Sequence, residues 1–135
     1  MSAPGDGAFG GDGAFVVSFP VHMATDIPSF AIDVRQDDGR VHFVPRGELD
    51  LATAPELEQR VLEMLRNGDQ GVVVLDLREL TFMDSTGVRT IVSAHQVAQE
   101  EDVELRLVRP GPGSAVRRVI EISGIQEALG LVDAP

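Results

Sequence analysis

Two hydroxyl side chains stand beside a carboxylate in the tetrapeptide Asp84-Ser85-Thr86-Gly87. The tetrapeptide lies between an apolar run of strand length and a segment of helical periodicity, so it is predicted to begin a helix. Backbone N–H groups at a helix N-terminus lack intrahelical partners, and the helix dipole favours negative charge there. The tetrapeptide is therefore suited to carry or bind an anion, and Ser85 is the first candidate among its hydroxyl residues.

The same four residues also have a purely structural explanation. Aspartate, serine and threonine are all good N-caps, and the glycine permits a tight turn from strand to helix. Against this, two hydroxyls in tandem exceed what capping requires, and open α/β sheets place their ligands at the carboxyl ends of central strands. Thr86 is the second candidate for modification, and the residues alone leave both explanations open.

Enzymatic chemistry is disfavoured by the placement of the acidic and histidine residues. An aspartic-protease motif has no residue between the hydroxyl and the glycine, whereas here one intervenes. A phosphoaspartyl enzyme needs an acidic cluster for Mg²⁺, but Asp76 lies inside the predicted strand and well before Asp84 in the sequence. No catalytic triad assembles, because a leader, a strand and a helix carry His22, His42 and His95. We expect no enzyme, no metal site and no cofactor.

Composition limits the remaining classes. A chain of 135 residues has room for one domain, and the absence of cysteine excludes disulfides and fits a reducing compartment. The net charge of -11 argues against binding to nucleic acid. The chain starts without a basic region, and the apolar stretch Ala14 to Phe19 is too short for a signal peptide or membrane span. We therefore expect a cytoplasmic protein that does not bind membranes.

Residues 1–28 are rich in glycine and proline and show no sustained period. This composition predicts a flexible leader, followed by one domain over residues 29–135. The apolar cluster from Phe15 to Phe19 is open to several interpretations: an additional edge strand, a segment that docks on a partner, or a disordered tail that happens to contain two phenylalanines.

The domain is predicted to begin with a β-hairpin. Apolar residues alternate from Phe30 to Val34, and the chain resumes as Val41-His42-Phe43-Val44 after an Asp-Asp-Gly turn. Because Pro45 cannot donate a hydrogen bond, we expect the second strand to be bulged or to end there. Gly47-Glu48-Leu49-Asp50 is then predicted to be the exit loop.

Two crossover helices are predicted to follow the hairpin. The capping box Thr53-Ala54-Pro55-Glu56 should open the first helix. The second helix should run from the Ser85 loop to about Glu101, and short helices are expected near the C-terminus, the first capped by Ser114. The expected fold class is α/β, with a mostly parallel or mixed sheet of four to five strands and about four helices in the order β-β-α-β-α-β-α-α. The second helix is predicted to pack an apolar stripe on the sheet, and this stripe comprises Val88, Ile91, Val92, His95 and Ala98.

Two different sequence signatures follow one another along the chain. They are Gly47-Glu48-Leu49-Asp50 with Thr53-Ala54-Pro55 and Leu57, and Val74-Leu75-Asp76-Leu77 with Leu80, Phe82-Met83-Asp84-Ser85-Thr86-Gly87 and Val88. Together they closely resemble the STAS domain of bacterial anti-anti-sigma factors. The resemblance extends from about Phe30 to Val132, which is nearly all of the chain outside the leader.

The resemblance implies a partner-switching function. Unphosphorylated members of the family bind an anti-sigma factor that is also a serine kinase, and they thereby free a sigma factor for transcription in a stress response or sporulation. Phosphorylation of the serine at the position of Ser85 abolishes that binding, and a serine phosphatase reverses it. The residues implied in partner binding are Glu48, Asp50, Thr53, Asp84, Thr86 and Gly87. The alternative is a STAS-type scaffold or a module that senses a ligand or nucleotide within a signalling complex.

Overall fold

The N-terminal half of the sheet is antiparallel. The structure, a computed structural model, describes residues 8–9, 15–20, 29–68 and 71–135. The first four strands are β1 (Ala8–Phe9), β2 (Phe15–Pro20), β3 (Phe30–Asp37) and β4 (Arg40–Leu49), each antiparallel to the next. The Phe15 to Phe19 cluster thus lies in a strand, while much of the predicted flexible leader, including His22, lies outside the described residues.

The rest of the sheet is parallel and is connected through helices. The chain continues through α1 (Ala54–Asn67), β5 (Val72–Asp76), β6 (Leu80–Met83), α2 (Ser85–Glu101), β7 (Glu104–Val108), α3 (Ala115–Ser123) and α4 (Ile125–Ala128). Strand β4 pairs with β5 near its start and with β6 near its end, and β5 pairs with β7. The α/β fold class and the predicted order of elements are confirmed, and β6 is an additional short strand between β5 and α2.

Strand β4 runs through Pro45, so the predicted exit loop over Gly47 to Asp50 is wrong for its first three residues. Pro45 lies between the segment that pairs with β5, which ends at Phe43, and the segment that pairs with β6, which begins at Gly47. The N–H of Gly47 points to the β6 side, and N–H directions alternate along a strand. The missing N–H of Pro45 therefore falls in the gap between two partner strands.

The core lies between the sheet and the two long helices. One sheet face contributes residues such as Ile32, Phe43 and Leu75, and the facing helices contribute residues such as Leu57 and Ile91, all of them fully buried. Burial of this apolar area is the main favourable term in folding a chain that has no cross-links.

Helix α2 is rotated relative to the predicted apolar stripe. Ile91 and Ala98 are buried as predicted, but Val92 and His95 are only half-buried. Ala94 and Val97 contribute to the core instead, and Thr90 is buried with its hydroxyl bonded to Glu58 of α1. Because α2 packs against α1 as well as the sheet, small and hydroxyl side chains occupy the helix–helix contact.

Candidate functional site

The two signature segments lie next to each other at the carboxyl ends of β4 and β6. In the parallel pairing of these strands, Glu48 is opposite Phe82 and Leu49 is opposite Met83. The backbone N–H of Asp84 then donates to the carbonyl oxygen of Leu49 over 3.3 Å. The end of β4 and the start of α2 are therefore parts of one site, at the sheet edge where open α/β folds bind their ligands.

Asp84 is the N-cap of α2. Its backbone is extended, and its Oδ1 accepts hydrogen bonds from the backbone N–H groups of Thr86, at 2.9 Å, and Gly87, at 3.3 Å. One carboxylate thus satisfies two N–H groups that would otherwise lack partners. The hydroxyl groups of Ser85 and Thr86 are not needed for capping.

Ser85 is the first residue of α2 and its side chain is exposed. Among the residues that the structure describes, none of the hydrogen bonds involves the Ser85 hydroxyl. Thr86 is half-buried and lies one residue further into the helix. The arrangement therefore presents the Ser85 oxygen to solvent beside the positive end of the helix dipole.

Thr53 does not form the predicted capping box. Its backbone is helical and its side chain makes no cap hydrogen bond to α1, while Glu56 pairs with Arg60 instead. The Thr53 hydroxyl turns back to the end of β4, where it donates to the carbonyl oxygen of Glu48 over 2.8 Å and accepts from the N–H of Asp50 over 2.9 Å. Thr53 therefore fixes the turn that follows β4.

The Asp50 side chain completes that turn. Its Oδ1 accepts from the backbone N–H of Ala52 at 3.0 Å and from that of Thr53 at 3.1 Å. The turn in consequence holds Leu51 away from the core, with 75% of its surface exposed. Leu51 is thus an exposed apolar side chain in the turn that follows β4, and sequence reasoning missed it.

Gly87 has a different role from the one predicted. Its φ lies outside the left-handed region, so the turn from strand to helix does not require glycine. A Cβ added at this position would lie 2.5 Å from Met83 Cγ and 3.0 Å from Leu49 Cδ2. Glycine is needed because α2 begins in close contact with the ends of β4 and β6.

The predicted partner-binding residues divide into surface and supporting residues. Glu48 is exposed, and Asp50, Asp84 and Thr86 are half-buried. Thr53 and Gly87 are buried, so any contribution they make to a partner surface is indirect. We use the name Ser85 surface for Glu48, Asp50, Leu51, Asp84, Ser85 and Thr86.

A groove of about 340 Å³ between α1 and α2 adjoins the Ser85 surface. Its lining includes Pro55 and Glu58 from α1 and Thr86 and Arg89 from α2. Glu58 accepts hydrogen bonds from the hydroxyls of Thr90, at 3.3 Å, and Ser93, at 3.4 Å. The carboxylate is thereby held against α2, while the Arg89 side chain is exposed at the groove.

Asp76, the other acidic residue of the second signature, accepts hydrogen bonds from Arg78 and does not take part in the Asp84 cap. Burial raises the pKa of its carboxyl, but hydrogen bonds from the side chain and backbone of Arg78 outweigh that effect, and the pKa lies below its ordinary value. In the part of the chain that the structure describes, no three acidic or histidine side chains are grouped as a metal site.

The fold and the two adjoining signatures define a small α/β domain with one candidate site at the ends of β4 and β6. The sequence model of the STAS domain family matches residues 31–133, and the chain belongs to that family. STAS anti-sigma factor antagonists are regulatory binding proteins, and the chain is placed with them and not with enzymes.

Relatives and solved structures agree with this placement. The anti-sigma-B factor antagonist of Staphylococcus aureus (strain NCTC 8325 / PS 47) is 32% identical over 83 residues, which cover 62% of this chain and 74% of the relative. An anti-sigma factor antagonist from Mycobacterium paratuberculosis is 27% identical with a TM-score of 0.68, over 78% of this chain and 87% of that chain. The Bacillus cell fate determinant SpoIIAA in its phosphorylated form shares the fold, with 22% identity, a TM-score of 0.59 and coverage of 77% and 91%.

Over the described ranges, none of the helices is long and apolar enough to cross a membrane.

Proposed function

We propose that this antagonist binds an anti-sigma factor serine kinase through the Ser85 surface, and that phosphorylation of Ser85 ends the binding. The unphosphorylated form holds the anti-sigma factor and so frees a sigma factor, and a serine phosphatase restores this form. The exchange takes place in the cytoplasm, where sigma factors act, without direct contact of this chain with nucleic acid.

The proposal rests on the different roles of Asp84 and Ser85 at the start of α2. Asp84 supplies the helix cap, so the adjacent serine hydroxyl is exposed and has no structural task. A kinase can therefore reach the hydroxyl without unfolding the helix. Ser85 is preferred to Thr86, since Thr86 is half-buried and faces the groove between the long helices.

Electrostatics explains how one phosphate can end the binding without a change of fold. Phosphorylation adds roughly -1.5 to -2 charges at pH 7. The N-terminus of α2 stabilises added negative charge, so the folded state accepts it. A partner that has to cover Leu51 and exclude water would instead bury that charge, which is strongly unfavourable without a matching cation.

The proposal is tested with the anti-sigma factor kinase of the source organism and ATP. We expect peptide mass spectrometry to find one added phosphate on Ser85, and binding of the kinase to be lost afterwards. Ser85→Ala should remain unmodified and bind constitutively, and Ser85→Glu should bind weakly. Ser123→Ala removes an exposed serine on α3 whose hydroxyl donates only to the Ile120 carbonyl, so as a control it should bind the kinase as wild type does.

Two results would contradict the proposal. One is that Ser85→Ala and Ser85→Glu both bind the kinase as wild type does. The other is that no anti-sigma kinase of the organism modifies the chain. Saturable binding of ATP to the isolated chain would instead favour the scaffold or nucleotide-sensing alternative.

A further inference from the structure

We propose that Arg89 pairs with the phosphate of phosphorylated Ser85 within the same chain. The inference rests on the proposed function, because it concerns the regulated form of that site. It identifies a residue that the family signature does not include and assigns it the task of receiving the phosphate.

The positions of the two residues on α2 carry the inference. Ser85 and Arg89 are four residues apart in one helix, and both are exposed. Residues at this spacing lie on the same helix face, with about 5–6 Å between their Cβ atoms. Long side chains in helices extend towards the N-terminus, which for Arg89 is the direction of Ser85.

The contacts of Arg89 agree with that direction. Its side chain lines the groove together with Thr86, in the preceding turn of α2. Among the described residues, none of the ion pairs includes Arg89, although several other arginines are paired with carboxylates. Glu58, the carboxylate of the same groove, receives hydrogen bonds from Thr90 and Ser93. The guanidinium is therefore available to a new anion.

The charges on neighbouring elements make Arg89 important for that anion. Asp84 lies directly before Ser85, Glu48 and Asp50 lie at the end of β4 and in its turn, and Glu58 lies on α1. All four are carboxylates, and a phosphate dianion at Ser85 would be repelled by each of them. The helix N-terminus and Arg89 oppose this repulsion, and a guanidinium can bind two phosphate oxygens at once.

The pairing would change the Ser85 surface in two ways at once. The phosphate adds negative charge, and the guanidinium that the unphosphorylated form exposes at the groove becomes occupied. A partner that contacts both positions therefore meets an altered charge at each of them.

The test measures the second ionisation of the phosphate. Phosphoserine is incorporated at position 85 by genetic encoding, and its ³¹P resonance is followed between pH 4 and pH 8. A neighbouring cation favours the dianion and lowers the phosphate pKa, so the pKa should rise by about 0.3 unit or more in Arg89→Gln. Arg89→Lys should retain part of the shift, and Arg66→Gln, at an exposed arginine in the last turn of α1, should match wild type.

Salt dependence provides a second measurement on the same samples. In 1 M NaCl an exposed ion pair is largely screened, and the difference between wild type and Arg89→Gln should shrink. Equal phosphate pKa values in wild type and Arg89→Gln at low salt would overturn the inference. Far-UV circular dichroism of each variant confirms that the helix is intact.

Failure of this inference can be distinguished from failure of the proposed function, because phosphoserine is introduced without a kinase. If the kinase modifies Ser85 but the phosphate pKa is insensitive to Arg89, the pairing is wrong and the switch stands. If the pKa depends on Arg89 but no kinase modifies Ser85, the pairing is supported and the proposed function fails.

Discussion

The backbone N–H of Asp84 donates to the carbonyl oxygen of Leu49 over 3.3 Å. This hydrogen bond joins the end of β4 to the N-cap of α2, so the two signature segments are held in one rigid arrangement. Thr53 and Gly87 maintain the same arrangement from the inside, the first by hydrogen bonds and the second by its lack of a side chain. The residues next to Ser85 should therefore be sensitive to changes that do not touch the surface.

Thr53 provides the first prediction. Thr53→Ala removes the partner of the Asp50 N–H and of the Glu48 carbonyl at a position only 1% exposed, so it should destabilise the chain by about 1–3 kcal/mol. Thr53→Ser keeps the hydroxyl and should recover most of the loss. Urea unfolding is followed by far-UV circular dichroism, since the chain has no tryptophan or tyrosine.

The matched control for this change is Thr81→Ala, at an exposed threonine of β6. It should shift the free energy of unfolding by no more than about 0.5 kcal/mol. Equal losses in Thr53→Ala and Thr81→Ala would show that the buried hydroxyl does not stabilise the turn.

Gly87 provides a prediction about packing. In Gly87→Ala the new methyl group would meet Met83 at 2.5 Å, and relieving that contact should cost about 1–3 kcal/mol. Gly111→Ala is the control, because a Cβ there meets nothing within 4 Å. A Gly87→Ala variant as stable as wild type would mean that glycine is not required for the contact between α2 and the strands.

A helix cap within Asp84 to Thr86 could be predicted from the sequence because capping is a local interaction, and the structure shows that Asp84 provides it. The side-chain oxygen and the two N–H groups that it accepts from lie within three residues of one another. The α/β order and the two crossovers were predictable for a related reason, since each helix and strand has its own period. The exposed position of Ser85 follows from the same cap.

Other features depend on parts of the chain that are distant in sequence. The path of β4 through Pro45 depends on where β5 stops and β6 begins. The hydroxyl of Thr53 bonds to β4 and not to its own helix, because the turn brings the Glu48 carbonyl within reach. The orientation of α2 depends on its contact with α1 as well as with the sheet, and in this orientation Ala94 is buried and His95 is half-buried. Periodicity alone contains none of this information.

Asp76 gives a prediction for pH dependence. Its pKa in the folded chain lies below the ordinary value of 3.8, because hydrogen bonds from Arg78 outweigh the opposing effect of burial. A lowered pKa contributes stability that is present above the unfolded value and is lost as pH falls through the folded value. The difference in unfolding free energy between wild type and Asp76→Asn should thus be largest near pH 7 and should decrease below pH 3.8.

At pH 7 Asp76→Asn should be less stable than wild type by about 1–3 kcal/mol, because the Arg78 hydrogen bonds lose the carboxylate charge. Urea unfolding at several pH values from about 2.5 to about 7 measures the difference in unfolding free energy. This range includes the ordinary carboxyl pKa of 3.8. Glu100→Gln, at an exposed glutamate near the end of α2, is the control and should show the pH dependence of wild type. A constant difference between Asp76→Asn and wild type over the whole range would contradict the lowered pKa.

Leu51 gives a prediction about the partner, which rests on the proposed function. It is 75% exposed on the Ser85 surface, and burial of a leucine side chain contributes about 1.5–3 kcal/mol. Leu51→Ser should therefore weaken binding of the unphosphorylated chain to the anti-sigma factor by roughly 10- to 100-fold, as measured by isothermal titration calorimetry. Ile122→Ser is the matched control, because Ile122 is 78% exposed but lies on α3. If both variants lose affinity equally, or if only Ile122→Ser does, the binding surface is not centred on Ser85. A loss confined to Leu51→Ser, with unchanged unfolding, places a leucine contact within the Ser85 surface.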